Sequence, residues 1–299
     1  MKKIIVLSIC LISISFSSSA QDVLSVDEMN SVYSKEQVLN KTVRQYTHLR
    51  EADVMWSRKI WREIDLREKI NHPFYYPEND GVGTTTSDRK SLIDVIFSAI
   101  NEGSITAYGN AAMDDEFRQA MTQEEIKTIG GASSEMVEVI DWDAVAAGAD
   151  PEDAKMQTLS EKEFDRNSVK KWRLKEEWFF DKQKSTMDVR ILGLAPLQED
   201  KDEVTGRLTG SFSPLFWVYF PEAREILINA EVFNSVKNDA ERRTYDDIFW
   251  KRMFNSTITM EANVMNRRIN EYMVGLDALL EAERIKADIF NIEHDLWEY

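Results

Sequence analysis

The chain has 299 residues and a formal net charge of −16 at pH 7, from 37 basic and 53 acidic side chains. A surface this acidic repels nucleic acid and anionic lipid, and it suits a basic protein partner. With 43% apolar and 10% aromatic residues, the composition is ample for one large or two modest buried cores.

At the start, Lys2 and Lys3 precede an apolar run from Ile4 to Phe16, and Ser18-Ser19-Ala20 supplies small residues before Gln21. This reads as a secretory signal peptide over residues 1–20, cleaved after Ala20. A membrane anchor fits less well, because the run is shorter than the roughly 18 residues a bilayer needs. Cleavage removes Cys10, the only cysteine, and lowers the net charge to −18 through loss of Lys2 and Lys3. Cys10 lies within the apolar run beside Ile9, which disfavours lipidation. The mature chain then has no thiol and no second apolar run of spanning length, so disulfides, thiolate nucleophiles and a direct membrane span are excluded. Periplasm or exterior follows.

Residues 21–50 are polar without a sustained period and read as an N-terminal arm. From Asp53 to Ile70, Trp56, Ile60 and Ile64 recur at i, i+4 and i+8, which predicts a helix opening a mainly helical region over 51–130. Glu63 with Arg67 and Asp65 with Lys69 are i,i+4 pairs on its outer face. Asn71-His72-Pro73 ends it, with Phe74, Tyr75 and Tyr76 packing beneath the turn. Gly81 to Ser87 is a loop, and Ser87 caps a helix carrying Leu92, Ile93, Ile96, Phe97 and Ile100, stopped by Gly103. Thr122 and Glu125 form a capping box for a short helix ending at Gly130-Gly131. Residues 131–160 are small and acidic and read as a linker or excursion, though a strand over Met136 to Ile140 also fits.

Within residues 161–299, Trp172 to Phe180, Met187 to Leu194 and Leu215 to Phe220 have strand chemistry between polar breaks, and Pro221 closes the third. From Thr244 the pattern is helical again, with Ile248, Phe249, Met253 and Phe254, then Leu276, Leu279, Leu280 and Ile285. The expected class is α+β, with helical N- and C-terminal regions around a small, mostly antiparallel sheet.

Catalytic chemistry is sparse. His48, His72 and His294 are far apart and share no metal-ligand spacing. Glu293-His294-Asp295 reads as a helix-end cluster. The glycine loop from Gly81 to Ser91 lacks the lysine-serine ending of a phosphate loop, and Ser87 to Lys90 matches a serine-x-x-lysine spacing without companion motifs. Asn255-Ser256-Thr257 fits a glycosylation acceptor but lies in an expected helix. No residue is assigned to catalysis, cofactor or metal binding, and no cofactor is expected. A secreted hydrolase of envelope polysaccharide, working through one raised and one ionised carboxylate, stays open as an alternative, as does a periplasmic chaperone or carrier.

Binding chemistry is better represented. On a helix, Trp56 and Trp61 stand roughly 140° apart, flanking the Ile60/Ile64 stripe. Tryptophan and arginine dominate interface hot spots, which makes Trp56, Trp61, Arg62, Arg67, Tyr75 and Tyr76 candidates for protein contact. Trp297 and Tyr299 join them, since an aromatic terminus packs on something. The competing reading buries both Trp56 and Trp61 in the protein's own core.

The segments MWSRKIWREIDLREKINHPFYYP, LIDVIFSAINEGSITAYG, EEWFFDKQKSTMDVRILGLAPL, FWVYFPEAR, DDIFWKR and IFNIEHDLWEY together resemble the GldN family of gliding-motility-associated proteins, called PorN in non-gliding relatives. The resemblance runs from about Glu51 to Tyr299. It implies a non-enzymatic, structural periplasmic subunit of the type IX secretion and gliding machinery. The implied partners are a GldK/PorK-like outer-membrane lipoprotein, with which the family forms a ring by self-association, and the periplasmic part of a GldM/PorM-like inner-membrane motor protein. The implied location is the inner face of the outer membrane, reached through those partners.

Overall fold

A computed structural model describes residues 41–77, 89–109, 115–129, 133–140, 155–162, 164–201, 207–233 and 241–295, with 133–140 and 155–162 as backbone. The proposed signal peptide, Gly81 to Ser87, most of the acidic stretch, Trp297 and Tyr299 lie outside the described residues.

The framework is a seven-stranded antiparallel sheet. β1 (Val54–Asp65) is flanked on one side by β5 (Val169–Asp181) and on the other by the short β9 (Thr257–Glu261). β5 turns back into β6 (Thr186–Lys201), whose far edge is shared by β7 (Leu208–Pro214) and β8 (Trp217–Tyr219). β2 (Ala107–Tyr108) completes the sheet beside β8. β3 (Ser133–Ile140) and β4 (Lys155–Lys162) form a separate two-stranded ladder. Asp181 sets the β5–β6 turn by accepting the Gln183 backbone N–H at 2.9 Å, the local hydrogen bonding for which Asp is favoured in turns.

Side chains of paired residues share a face, so the register sorts the core. One face carries Ile64, Trp172, Leu174 and Leu194, covered by α1 (His72–Tyr75), α2 (Leu92–Asn101), α4 (Phe220–Leu227) and α5 (Tyr245–Trp250). Phe74, Phe220, Phe249 and Phe254 interlock there, with Phe74 and Phe249 centroids 5.2 Å apart. Further along the same face, Ile60 packs with Ile258, Ile269 and the inner side of α6 (Leu276–Asp295), through Ala282, Ile285 and Ile289. The opposite face carries a smaller cluster of Trp61, Ala195 and Trp217 with Tyr108, Phe117 and Met260. Gly193 leaves room for it, because a Cβ there would stand 2.5 Å from the Phe117 ring.

Several expected elements are present. β5 and β6 contain two of the predicted strands, β8 covers only Trp217–Tyr219 of the third, whose Phe220 begins α4, and Pro221 lies in the first turn of that helix. The Thr122–Glu125 capping box opens α3 (Gln123–Lys127), with Thr122 N donating to Glu125 Oε2 at 2.7 Å. α2 forms as predicted, but its cap is Ser91, whose hydroxyl accepts from Asp94 N at 3.3 Å. The class is α+β with an antiparallel sheet.

The predicted helix over 53–70 is instead β1. The charges expected to pair along a helix pair otherwise. Glu63 meets Arg173 of the neighbouring strand at 2.6 Å and Lys171 at 3.5 Å, while Asp65 binds Arg67. The helical pattern read from Thr244 onward is likewise interrupted by β9. Of the arm, residues 41–50 lack regular secondary structure. Tyr46 stacks on Trp250 at 5.3 Å and lies against Arg190 and Arg224.

Candidate interaction surface

β1 places the aromatic and basic candidates on two faces of the sheet. Trp61 is buried against Trp217, its indole N–H donating to Asp115 Oδ2 at 2.8 Å with the Lys175 ammonium 5.5 Å from its ring. Trp56 is half-buried beside Ile60 and Trp178, with the Arg58 guanidinium 5.7 Å from its ring. The two tryptophans do point to opposite sides, as odd spacing on a strand requires, but both pack on the protein itself.

Arg62 is buried as well. It lies between Ile60 and Ile64 on the same face, where its Nε stands 3.2 Å from Glu176 Oε2. That nitrogen makes no hydrogen bond of good geometry, so the contact is charge attraction without an aligned N–H. Glu176 is fully buried and also takes Arg252 Nη2 at 2.9 and 3.1 Å and the Trp178 indole N–H at 3.1 Å. Burial lowers the Arg62 pKa, Glu176 opposes the shift and Arg252 adds to it. One buried carboxylate thus faces two arginines, the buried Arg62 and the partly exposed Arg252, and ties Arg62 into the fold.

Arg67 is exposed and engages Asp65 through Nε and Nη2, the latter at 2.5 Å. This hydrogen bonding holds the Asp65 carboxyl below its usual range, against the raising effect of burial. Tyr75 receives the Lys170 ammonium on its hydroxyl at 3.3 Å, and Tyr76 is exposed beside it. His72 starts α1 and stacks edge-on with Tyr76. Asn71 is the residue that anchors this corner. It is buried, donates to the carbonyls of Asp65 and Asn255, and accepts the Asn255 N–H.

Exposed apolar side chains gather most regularly on another element. On α6, Leu276, Leu279, Leu280 and Phe290 are 69%, 55%, 59% and 65% exposed. At 100° per residue they fall, with Glu283 and Ala287, within an arc of about 100°, opposite the buried Ala282, Ile285 and Ile289. The helix is therefore apolar on two sides. The sequence reading grouped Leu276, Leu279, Leu280 and Ile285 as one set, yet the first three and Ile285 lie on opposite sides; Phe290 belongs with the exposed group and was missed. The available signal was the doubled stripe within a single helix.

Among the described residues no group of three or more His, Cys, Asp or Glu side chains is placed to hold a metal. Every carboxyl group there with a displaced pKa, namely Asp53, Asp65, Glu125, Glu241 and Glu281, is displaced downward. A carboxylate hydrolase needs one moved upward. No helix among the described residues is long and apolar enough to cross a membrane.

A family model described as "Gliding motility associated protein GldN" matches residues 49–298. No curated protein matches the chain.

Proposed function

Because the chain belongs to the GldN family of gliding-motility-associated proteins, we propose that it is a structural periplasmic subunit of the type IX secretion and gliding machinery. It forms a ring with a GldK/PorK-like outer-membrane lipoprotein and links that ring to a GldM/PorM-like, inner-membrane-anchored motor protein. Its work is association: it passes force between two envelope layers by holding apolar surface against its neighbours. Closure into a ring requires head-to-tail contacts, made directly between copies or through the lipoprotein.

The observation that carries this reading is the match over residues 49–298, nearly the whole of the described body. The exposed stripe of α6 supports it, since large apolar side chains on a helix already packed from behind are what a docking surface supplies. The test is purification of the native assembly from detergent-solubilised envelopes, with electron microscopy of the product. Rings containing this protein and a lipoprotein in fixed proportion are expected. A monomer with no co-purifying lipoprotein and no rings overturns the reading, and a partner present only transiently favours a chaperone or carrier.

A further inference from the structure

We infer that the outer stripe of α6 is the seat of an amphipathic helix belonging to another protein, one whose apolar seam is bordered by Lys and Arg. This rests on the structural-subunit reading above and gives it a surface and a partner chemistry. The stripe residues Leu276, Leu280, Glu283, Ala287 and Phe290 are spaced four, three, four and three apart. That alternation is the heptad rhythm by which one helix receives the side chains of another, whereas a strand would meet residues two apart. At 1.5 Å per residue, the stripe from Leu276 to Phe290 of α6 presents a seam about 21 Å long. It is held firmly for the purpose, because Ala282, Ile285 and Ile289 anchor the reverse side against Ile60 and Ile258.

Charge selects the partner. α6 as a whole carries Asp277, Glu281, Glu283, Asp288, Glu293 and Asp295 against Arg284 and Lys286. On the helical wheel Glu283 stands in the seam, Asp277, Glu293 and Asp295 flank it together with the two cations, and Glu281 and Asp288 lie toward the buried side. Arg284 is held by Glu281 and Asp288, each at 2.6 Å, and Lys286 lies 3.3 Å from Glu283, so both cations are offset within the helix and its excess charge, carried with Asp277, Glu293 and Asp295, is negative. A second copy of α6 would set these acids against themselves in a chain whose net charge is already −16. A basic helix would be drawn in and oriented by the same charges.

The test places a photo-crosslinking amino acid at position 280, and separately at 290, in cells making the full chain, and sequences the crosslinked peptide from native envelopes. The expected product is a segment of a different protein with apolar residues at heptad spacing and Lys or Arg on its borders. A product within α6 of another copy, a segment lacking that pattern, or no product from an intact assembly overturns the inference. In parallel, Leu280→Gln with Phe290→Gln is expected to cut the fraction of protein incorporated at least tenfold while leaving the thermal unfolding of the purified chain unchanged. Undiminished incorporation overturns the inference while leaving the assembly role standing. Absence of any assembly from wild-type envelopes removes the role itself.

Discussion

Glu176 is buried between two arginines. Removing its charge leaves Arg62 and Arg252 facing each other with only the weaker field of Glu283 to offset them, in a site where Arg62 is already penalised by burial. Breaking a buried ion group by removing one partner costs about 3–5 kcal/mol. Glu176→Gln is therefore expected to lower the stability measured by urea unfolding by that order, and an unchanged midpoint would mean the arginines find other partners. Asp65 gives a milder, pH-dependent case. Its folded pKa is depressed by Arg67, so its contribution is present above the unfolded carboxylate value, near ~3.9, and is lost as pH falls through the folded value. Asp65→Asn should cost about 0.5 kcal/mol at pH 7, because the pair is partly screened by solvent. Urea titrations of variant and wild type should converge as pH drops below about 4.

At the scale of elements, α6 makes the cleanest contrast. Ile285 on its inner side is fully enclosed by the cluster around Ile60. Ile285→Ala should cost about 2–4 kcal/mol in urea unfolding, whereas Leu280→Gln on the outer side should stay within about 0.5 kcal/mol of wild type. Similar costs for both would mean the outer stripe is covered by the chain itself. The same element scale explains what was readable beforehand. The Thr122–Glu125 box and the aromatic strands β5, β6 and β8 were legible because cap chemistry and β-branched or aromatic density act locally. β1 was not, for an arithmetical reason: Trp56, Ile60 and Ile64 are four apart, and a spacing of four keeps side chains on one face of a helix and of a strand alike. Trp61 would have separated the two readings only through knowledge that Lys175 and Trp217 lie on its side of the sheet. β7 was hidden because Leu208–Pro214 is rich in glycine and small polar residues and follows a charged stretch, as its mostly exposed side chains allow. Of the candidate surface, the exposure of Tyr76 and Arg67 is real, but the burial of Trp61 and Arg62 is set by strands more than 100 residues away. No local pattern encodes that.

For the molecule as a whole, the net charge of −16 acts against compactness through self-repulsion. Raising salt from about 10 to about 150 mM shortens the screening length from about 30 to about 8 Å. The melting temperature of the purified chain is expected to rise by about 2 °C over that range, and a fall would show that local pairs such as Arg224 with Asp246 outweigh the global repulsion. The sheet's order also has a consequence for how the molecule comes into being. β1 pairs with β9, and Ile60 of the first strand is enclosed by Ile285 and Ile289 of the last helix. A chain made from its N-terminus thus leaves its first strand without a neighbour until β5 is complete at Asp181, and without its second until β9 begins at Thr257. Closure so late in the chain slows folding.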